Sequence, residues 1–192
     1  VVYDEGRGIG IARNLGVASA KGEYICFVDA DCIVGKNHFI KIIEEFTKGA
    51  DLIDVNEIPS RKLIHHLPKI AKFEVKVKEC QKTGKKGMAF ARGSFISFRK
   101  NVFYELGGFW EYPPYGGDDL DFSYRALKKG YKVSSVDVKE SISLPRFSFR
   151  EFIKQRISYG KGFAYFIIKH CRDMVYNEYQ LNKILGIHSV WV

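Results

Sequence analysis

Five apolar residues in a row, Tyr24-Ile-Cys-Phe-Val28, run straight into Asp29-Ala-Asp31. Alternation of apolar and polar side chains disappears only where both faces of a sheet are covered, so this run reads as a buried parallel strand. The flanking segments supply the cover. Residues 11–20 read as a helix closed by Gly22. Asn37 is placed to cap a helix reaching Lys48, with Phe39, Ile42, Ile43 and Phe46 on one side and Gly49 ending it. A second strand covers 51–58 and stops at Pro59. Strand–helix–strand alternation of this kind predicts an α/β architecture built on a mostly parallel sheet flanked by helices.

The rest of the chain extends the pattern. Ile64, Leu67, Ile70, Ala71, Val77 and Cys80 fit a helix with a Lys-rich outer face. A strand is expected over 89–98 and a short helix over 101–106, closed by Gly107-Gly108. A loop rich in aromatic residues spans 109–117, followed by a helix over 118–129 and a strand over 131–138. From Arg146 the character changes: residues 146–176 carry seven Lys/Arg, two acids and eight Phe/Tyr. The expected organisation is a catalytic body at 1–145 and a basic, aromatic C-terminal helical element at 146–192. The chain opens on what reads as a strand end, without a Met, so its start is expected further upstream.

Composition excludes several classes. With 46% hydrophobic and 28% charged residues, the 192-residue chain is neither disordered nor of low complexity. No apolar run approaches the length of a membrane span. The formal net charge of +9 suits nucleic acid, an anionic membrane face or a phosphorylated substrate. The four cysteines form no CxxC pair and have no His at metal spacing, which predicts structural thiols in a reducing compartment.

Two acidic groups carry the chemistry. Asp29 and Asp31 stand at the carboxyl end of a buried strand, where open α/β sheets bind ligands. Carboxylates this close repel each other unless a cation lies between them, and Mg2+ or Mn2+ suits such a pair together with substrate phosphates. The alternative is an acidic turn that only caps the next element. The second group is Gly116-Gly117-Asp118-Asp119-Leu120-Asp121, at a helix start where acids also favour the macrodipole. Trp110, Tyr112 and Tyr115 flank it, and rings beside carboxylates are what a sugar cleft needs. Gly6-Arg-Gly-Ile-Gly10 tempts a dinucleotide reading, but Arg13 stands where the third glycine belongs. His65-His66 reads as surface.

These segments converge. Gly10-Ile-Ala-Arg-Asn-Leu-Gly16, Ala20-Lys-Gly-Glu-Tyr-Ile25, Phe27-Val-Asp-Ala-Asp31, Ser97-Phe-Arg-Lys-Asn-Val-Phe-Tyr-Glu-Leu-Gly-Gly-Phe109 and Gly117-Asp-Asp-Leu-Asp-Phe-Ser-Tyr-Arg125 resemble, in order and separation, a family 2 glycosyltransferase with the Rossmann-related GT-A fold, over roughly residues 6–140 and truncated at the N-terminus. The resemblance implies a metal on Asp31, with Asp29 behind it, holding the diphosphate of a nucleotide-sugar. It implies Asp119 as general base and Asp118 as the residue orienting the acceptor. Arg13, Asp29, Gly93, Trp110, Gly117 and Arg125 would surround the substrates. The family often has Glu-Asp where this chain has Asp118-Asp119, and Gln155-Arg-Ile-Ser-Tyr159 departs from the Gln-x-x-Arg-Trp pattern of processive members.

The expected activity is inverting transfer to a glycan or lipid-linked acceptor, at a cytoplasmic location and without nucleic acid. The aromatic side chains of 146–176 are expected to pack against the catalytic sheet with their Lys/Arg solvated, the alternative being peripheral contact with an anionic membrane face. The rival readings are a non-catalytic nucleic-acid-binding module and another metal-dependent phosphate-handling enzyme such as a nucleotidyltransferase.

Overall fold

The computed structural model describes residues 2–58, 65, 67–82, 91, 93–111, 116–139, 141–144 and 148–175. In chain order these form α1 (Ile9–Ser19), β1 (Tyr24–Cys26), β2 (Cys32–Ile33), α2 (His38–Thr47), β3 (Leu52–Ile58) and α3 (Lys69–Lys82). A 3-10 turn at Gly93–Phe95 leads into β4 (Ser97–Arg99), α4 (Lys100–Leu106), α5 (Asp118–Lys128), β5 (Val133–Lys139), β6 (Ile142–Ser143) and α6 (Phe149–Val175). The rings expected beside the acid pair at Tyr112 and Tyr115 lie outside the described residues, as does the start of the strand expected over 89–98. Within that stretch Gly93–Phe95 is a 3-10 turn instead, and strand begins only at Ser97.

The main sheet has the order β1-β4-β3-β5, and β2 pairs with β6 in a small second sheet. β4 runs antiparallel to both β1 and β3, while β3 and β5 are parallel in register from Leu52 opposite Val133 to Ile58 opposite Lys139. β1, β3 and β5 therefore point the same way, but β1 is a half-buried edge strand whose one partner among the described residues is antiparallel β4, not the parallel strand covered on both faces that its apolar run predicts. The sheet is mixed, because β4 enters between β1 and β3 from the opposite direction.

Strand alternation splits the core between the two faces. Ile25, Leu52 and Phe98 pack with Val17, Val102, Phe103, Phe109, Phe122 and Ala126 under α1, α4 and α5. On the other face Ile53, Val55 and Val138 pack with Ile42 and Phe46 of α2. Phe109 stacks on Phe122 with ring centroids 4.4 Å apart, which ties the start of the aromatic loop to α5.

α2 departs from expectation. Its buried side is His38, Ile42 and Phe46, whereas Phe39 and Ile43 are exposed. Lys41, Glu44 and Glu45 mark a polar side, but the apolar arc is wide enough to include Phe39, Ile40 and Ile43 as well as Ile42 and Phe46, so periodicity alone does not say which part of it turns inward. A polar partner decides it: Nδ1 of buried His38 lies 2.9 Å from Oγ of buried Ser141, which also accepts from the amide of Gly35. Asn37 makes no side-chain capping bond.

Candidate active site

α1 reaches the site with one face. Gly10, Arg13 and Asn14 are spaced three and four apart and so line up along the helix. A Cβ on Gly10 would overlap the carbonyl of Trp110. Asn14 accepts from the amide of Phe109 at 2.8 Å and donates to its carbonyl at 3.0 Å, clamping the loop entry from both sides.

Arg13, only 6% exposed, is the hub. Its Nη1 pairs with Oδ2 of Asp118 and its Nη2 lies 3.9 Å from Oδ1 of Asp29. The guanidinium also lies 5.9 Å from the ring centroid of Phe27 and 5.6 Å from that of Phe109. A cation held this way sits beneath the carboxylates and joins the loop after β1 to the start of α5.

The 3-10 turn completes the link. The amide of Gly93 donates to Oδ2 of Asp119 at 2.8 Å, and the carbonyl of Ser94 accepts from the amide of Asp29 at 3.2 Å. A Cβ on Gly93 would overlap the Arg13 guanidinium, so a larger residue there would have to displace that side chain from its present place. The structure thus brings Asp29, Asp118 and Asp119 together around Arg13 and residues 93–94. Asp31 follows in the same loop, its carbonyl accepting from the amide of Leu144 at 2.8 Å.

The charges register this crowding. Burial pushes the Asp29 carboxyl up; Arg13 pulls it back, and the negative charges of Asp31 and Asp119 raise it again. Asp118, 2% exposed, is likewise raised by burial and by Asp119 against the pull of Arg13. One guanidinium among four carboxylates leaves surplus negative charge, which fits a hard divalent cation. Among the described residues no cluster of three His, Cys, Asp or Glu side chains is arranged to hold a metal. Such an ion would accordingly take Asp29 and Asp31 and complete its shell with water and phosphate oxygens.

The remaining expected residues divide. Gly117 begins α5 at φ 93°, a left-handed conformation that favours glycine. Trp110 lies under the Nζ of Lys169, 4.0 Å from its ring centroid. Arg125 is turned toward the frame: it pairs with Asp121 and donates to the carbonyls of Leu106 and Gly108.

The sequence predicts that the aromatics of 146–176 pack on the catalytic body, but not which groups of α6 reach the acid-bearing helix. Lys169 and His170 both reach Oδ1 of fully buried Asp121, at 2.6 and 2.8 Å. Its Gly162 backbone meets Gly116 and Gly117 closely enough that a Cβ on Gly162 would lie 2.5 Å from the Gly116 carbonyl oxygen. The sequence signal for this packing is the density of Phe and Tyr over 146–176.

A mixed sheet covered by helices on both faces matches the GT-A fold. The family model for glycosyl transferase family 2 matches residues 1–107, and the chain belongs to that family. The acid pair at 118–119 lies beyond the matched stretch.

Among solved structures, a mannosyltransferase from Pyrobaculum calidifontis in complex with GDP-Man and Mn2+ superposes with a TM-score of 0.58 at 19% identity, over 86% of this chain and 44% of that one. Glucosyl-3-phosphoglycerate synthase from Mycobacterium tuberculosis, in complex with Mn2+, UDP-glucose and phosphoglyceric acid, gives 0.55 at 11% identity, over 83% and 54%. The same enzyme with Mg2+ and UDP gives 0.51 at 12% identity, over 76% and 49%. The chain spans about half the length of these structures. No curated protein matches its sequence.

Proposed function

We propose that the chain carries the catalytic part of an inverting glycosyltransferase, moving a sugar from a nucleotide-diphosphate-sugar to the hydroxyl of a glycan or lipid-linked acceptor. The observation that carries this reading is the bridge at 93–94, which holds Asp119 and the Asp29 loop on either side of one short turn. Family membership and the solved neighbours, which contain GDP-Man or UDP-glucose, support it.

In this reading Asp29 and Asp31 hold Mg2+ or Mn2+, whose chemistry is to offset charge on the departing diphosphate. Arg13, beneath them, fixes the spacing of Asp29 and Asp118. Asp118 orients the acceptor, and Trp110 offers a ring to its apolar face. Asp119 takes the proton of the acceptor hydroxyl as its oxygen bonds to the anomeric carbon. The bond from that carbon to the phosphate oxygen breaks with its electron pair on the diphosphate. Attack opposite the leaving group inverts the centre. A carboxylate becomes an adequate base here because the oxygen gains positive character as the new bond forms. The acceptor is taken at the cytoplasmic side, with α6 resting on a membrane surface.

A screen of nucleotide-sugars for hydrolysis with Mg2+ and Mn2+ tests the donor assignment. Acceptor-independent hydrolysis of one donor is expected, and Asp31→Ala should abolish its metal dependence and weaken donor binding. Metal-dependent turnover that survives in Asp31→Ala would remove the aspartate from this role.

A further inference from the structure

α6 buries Gly162, Phe166 and His170, which succeed one another every four residues and press on α5 and the 116–117 turn. At 100° per residue the opposite side carries Phe149, Ile153, Ile157, Ala164 and Ile168, all exposed; Phe149 and Ile168 are each 68% open and Ile157 54%. Exposed Arg150, Lys154 and Lys161 line one border of this stripe. The acids Glu151 and Asp173 lie away from it, and Asp173 pairs with Lys128 of α5 at 2.7 Å. The stripe runs about 28 Å at 1.5 Å per residue.

We infer that this face of α6 lies in the headgroup region of an anionic lipid bilayer, parallel to its plane. A helix with a continuous apolar stripe and a cationic border has the chemistry that anionic interfaces bind: apolar side chains enter the acyl boundary while cations meet the phosphates. Among the described residues no helix is long and apolar enough to cross a membrane, so α6 lies on the surface. The one-sided border favours lipid over an antiparallel second copy of this chain, whose matching stripe would bring like charges together. The packed side of α6 meets the turn that starts the acid pair, so the membrane plane lies about one helix diameter, some 10 Å, from Asp118 and Asp119. The inference deepens the membrane-side acceptor reading above by naming the lipid class and the contact face. Its test does not depend on turnover.

The experiment is co-sedimentation of the full chain with vesicles of phosphatidylcholine containing one third phosphatidylglycerol, and with phosphatidylcholine alone, at low and high salt. Binding to the anionic vesicles is expected, weaker in high salt. Lys154→Gln with Lys161→Gln should reduce the partition coefficient about thirtyfold. Ile153→Glu with Ile157→Glu should abolish binding at both salt concentrations, with the far-UV circular dichroism unchanged because both sites are exposed. Nucleotide-sugar hydrolysis without vesicles should be the same in all variants, so loss of binding and loss of catalysis are read separately. Failure to sediment with anionic vesicles overturns the inference, as does equal binding by the Ile variant. A concentration-dependent dimer that the Ile variant dissociates also overturns it, since a second copy then covers the stripe.

Discussion

Asp119 accepts two backbone amides, from Gly93 at 2.8 Å on one oxygen and from its own neighbour Leu120 at 2.9 Å on the other. Such bonds fix the plane of the carboxylate and leave little for it to do except face the cleft. An Asn there cannot take a proton. Asp119→Asn is expected to cut sugar transfer by about 10²–10⁴ while donor affinity, measured by calorimetry, holds; an unchanged rate would remove Asp119 from the role of base. Asp121 behaves oppositely. Burial alone would push its carboxyl up, but hydrogen bonds from His170 and Lys169 and the charge of Arg125 outweigh burial and bring it to about 2. Its ordinary value is near 3.8, so its contribution to stability is present above pH 4 and is lost as the pH falls through 2. The shift corresponds to roughly 2 kcal/mol. Urea unfolding should show Asp121→Asn less stable than the parent at pH 6, with the gap closing toward pH 2. Acids at a strand end and at a helix start announce themselves in sequence. The burial of Arg13 does not, because its partners Asp29 and Asp118 lie far along the chain and nothing local marks an arginine as enclosed.

At the level of elements, the strands and helices were largely legible because each carries its own signal: the apolar run of β1, the glycine after α4, the acids opening α5. Their neighbours were not. β4 is a three-residue strand whose place between β1 and β3 depends on pairings some fifty and seventy residues distant, and the inner face of α2 depends on Ser141. The seat of α6 depends on glycine in a way a sequence does not show. Gly162 faces the Gly116 carbonyl, while nothing lies within 4 Å of a Cβ at Gly160. Gly162→Ala therefore forces the helix away from the acid-bearing turn and is expected to cost about 1–3 kcal/mol. Gly160→Ala adds helix propensity on an open face and is expected to stabilise by up to about 1 kcal/mol. Thermal unfolding of the two variants should move in opposite directions; parallel shifts would mean that α6 does not seat as described.

For the whole molecule, the open question is whether α6 is an appendage or a structural wall of the catalytic body. The shift in composition at Arg146 marks a boundary, but composition reports only what a segment is made of. Contacts cross that boundary: Phe166 is fully buried 5.7 Å from Tyr124, Tyr124 also meets the His170 ring at 4.5 Å, and Lys169 covers Trp110. Without α6, Asp121 would keep Arg125 alone among its cations and Tyr124 would lose its cover. Loss of one buried Phe costs about 3–5 kcal/mol by itself, and at this chain length each kcal/mol lowers the melting temperature by about 2–4 °C. A chain ending at Leu144 is accordingly expected to melt roughly 10 °C or more below the full chain in calorimetry. Equal melting temperatures would show that the body from residue 1 to 144 stands alone and that α6 rests on it as a separate element.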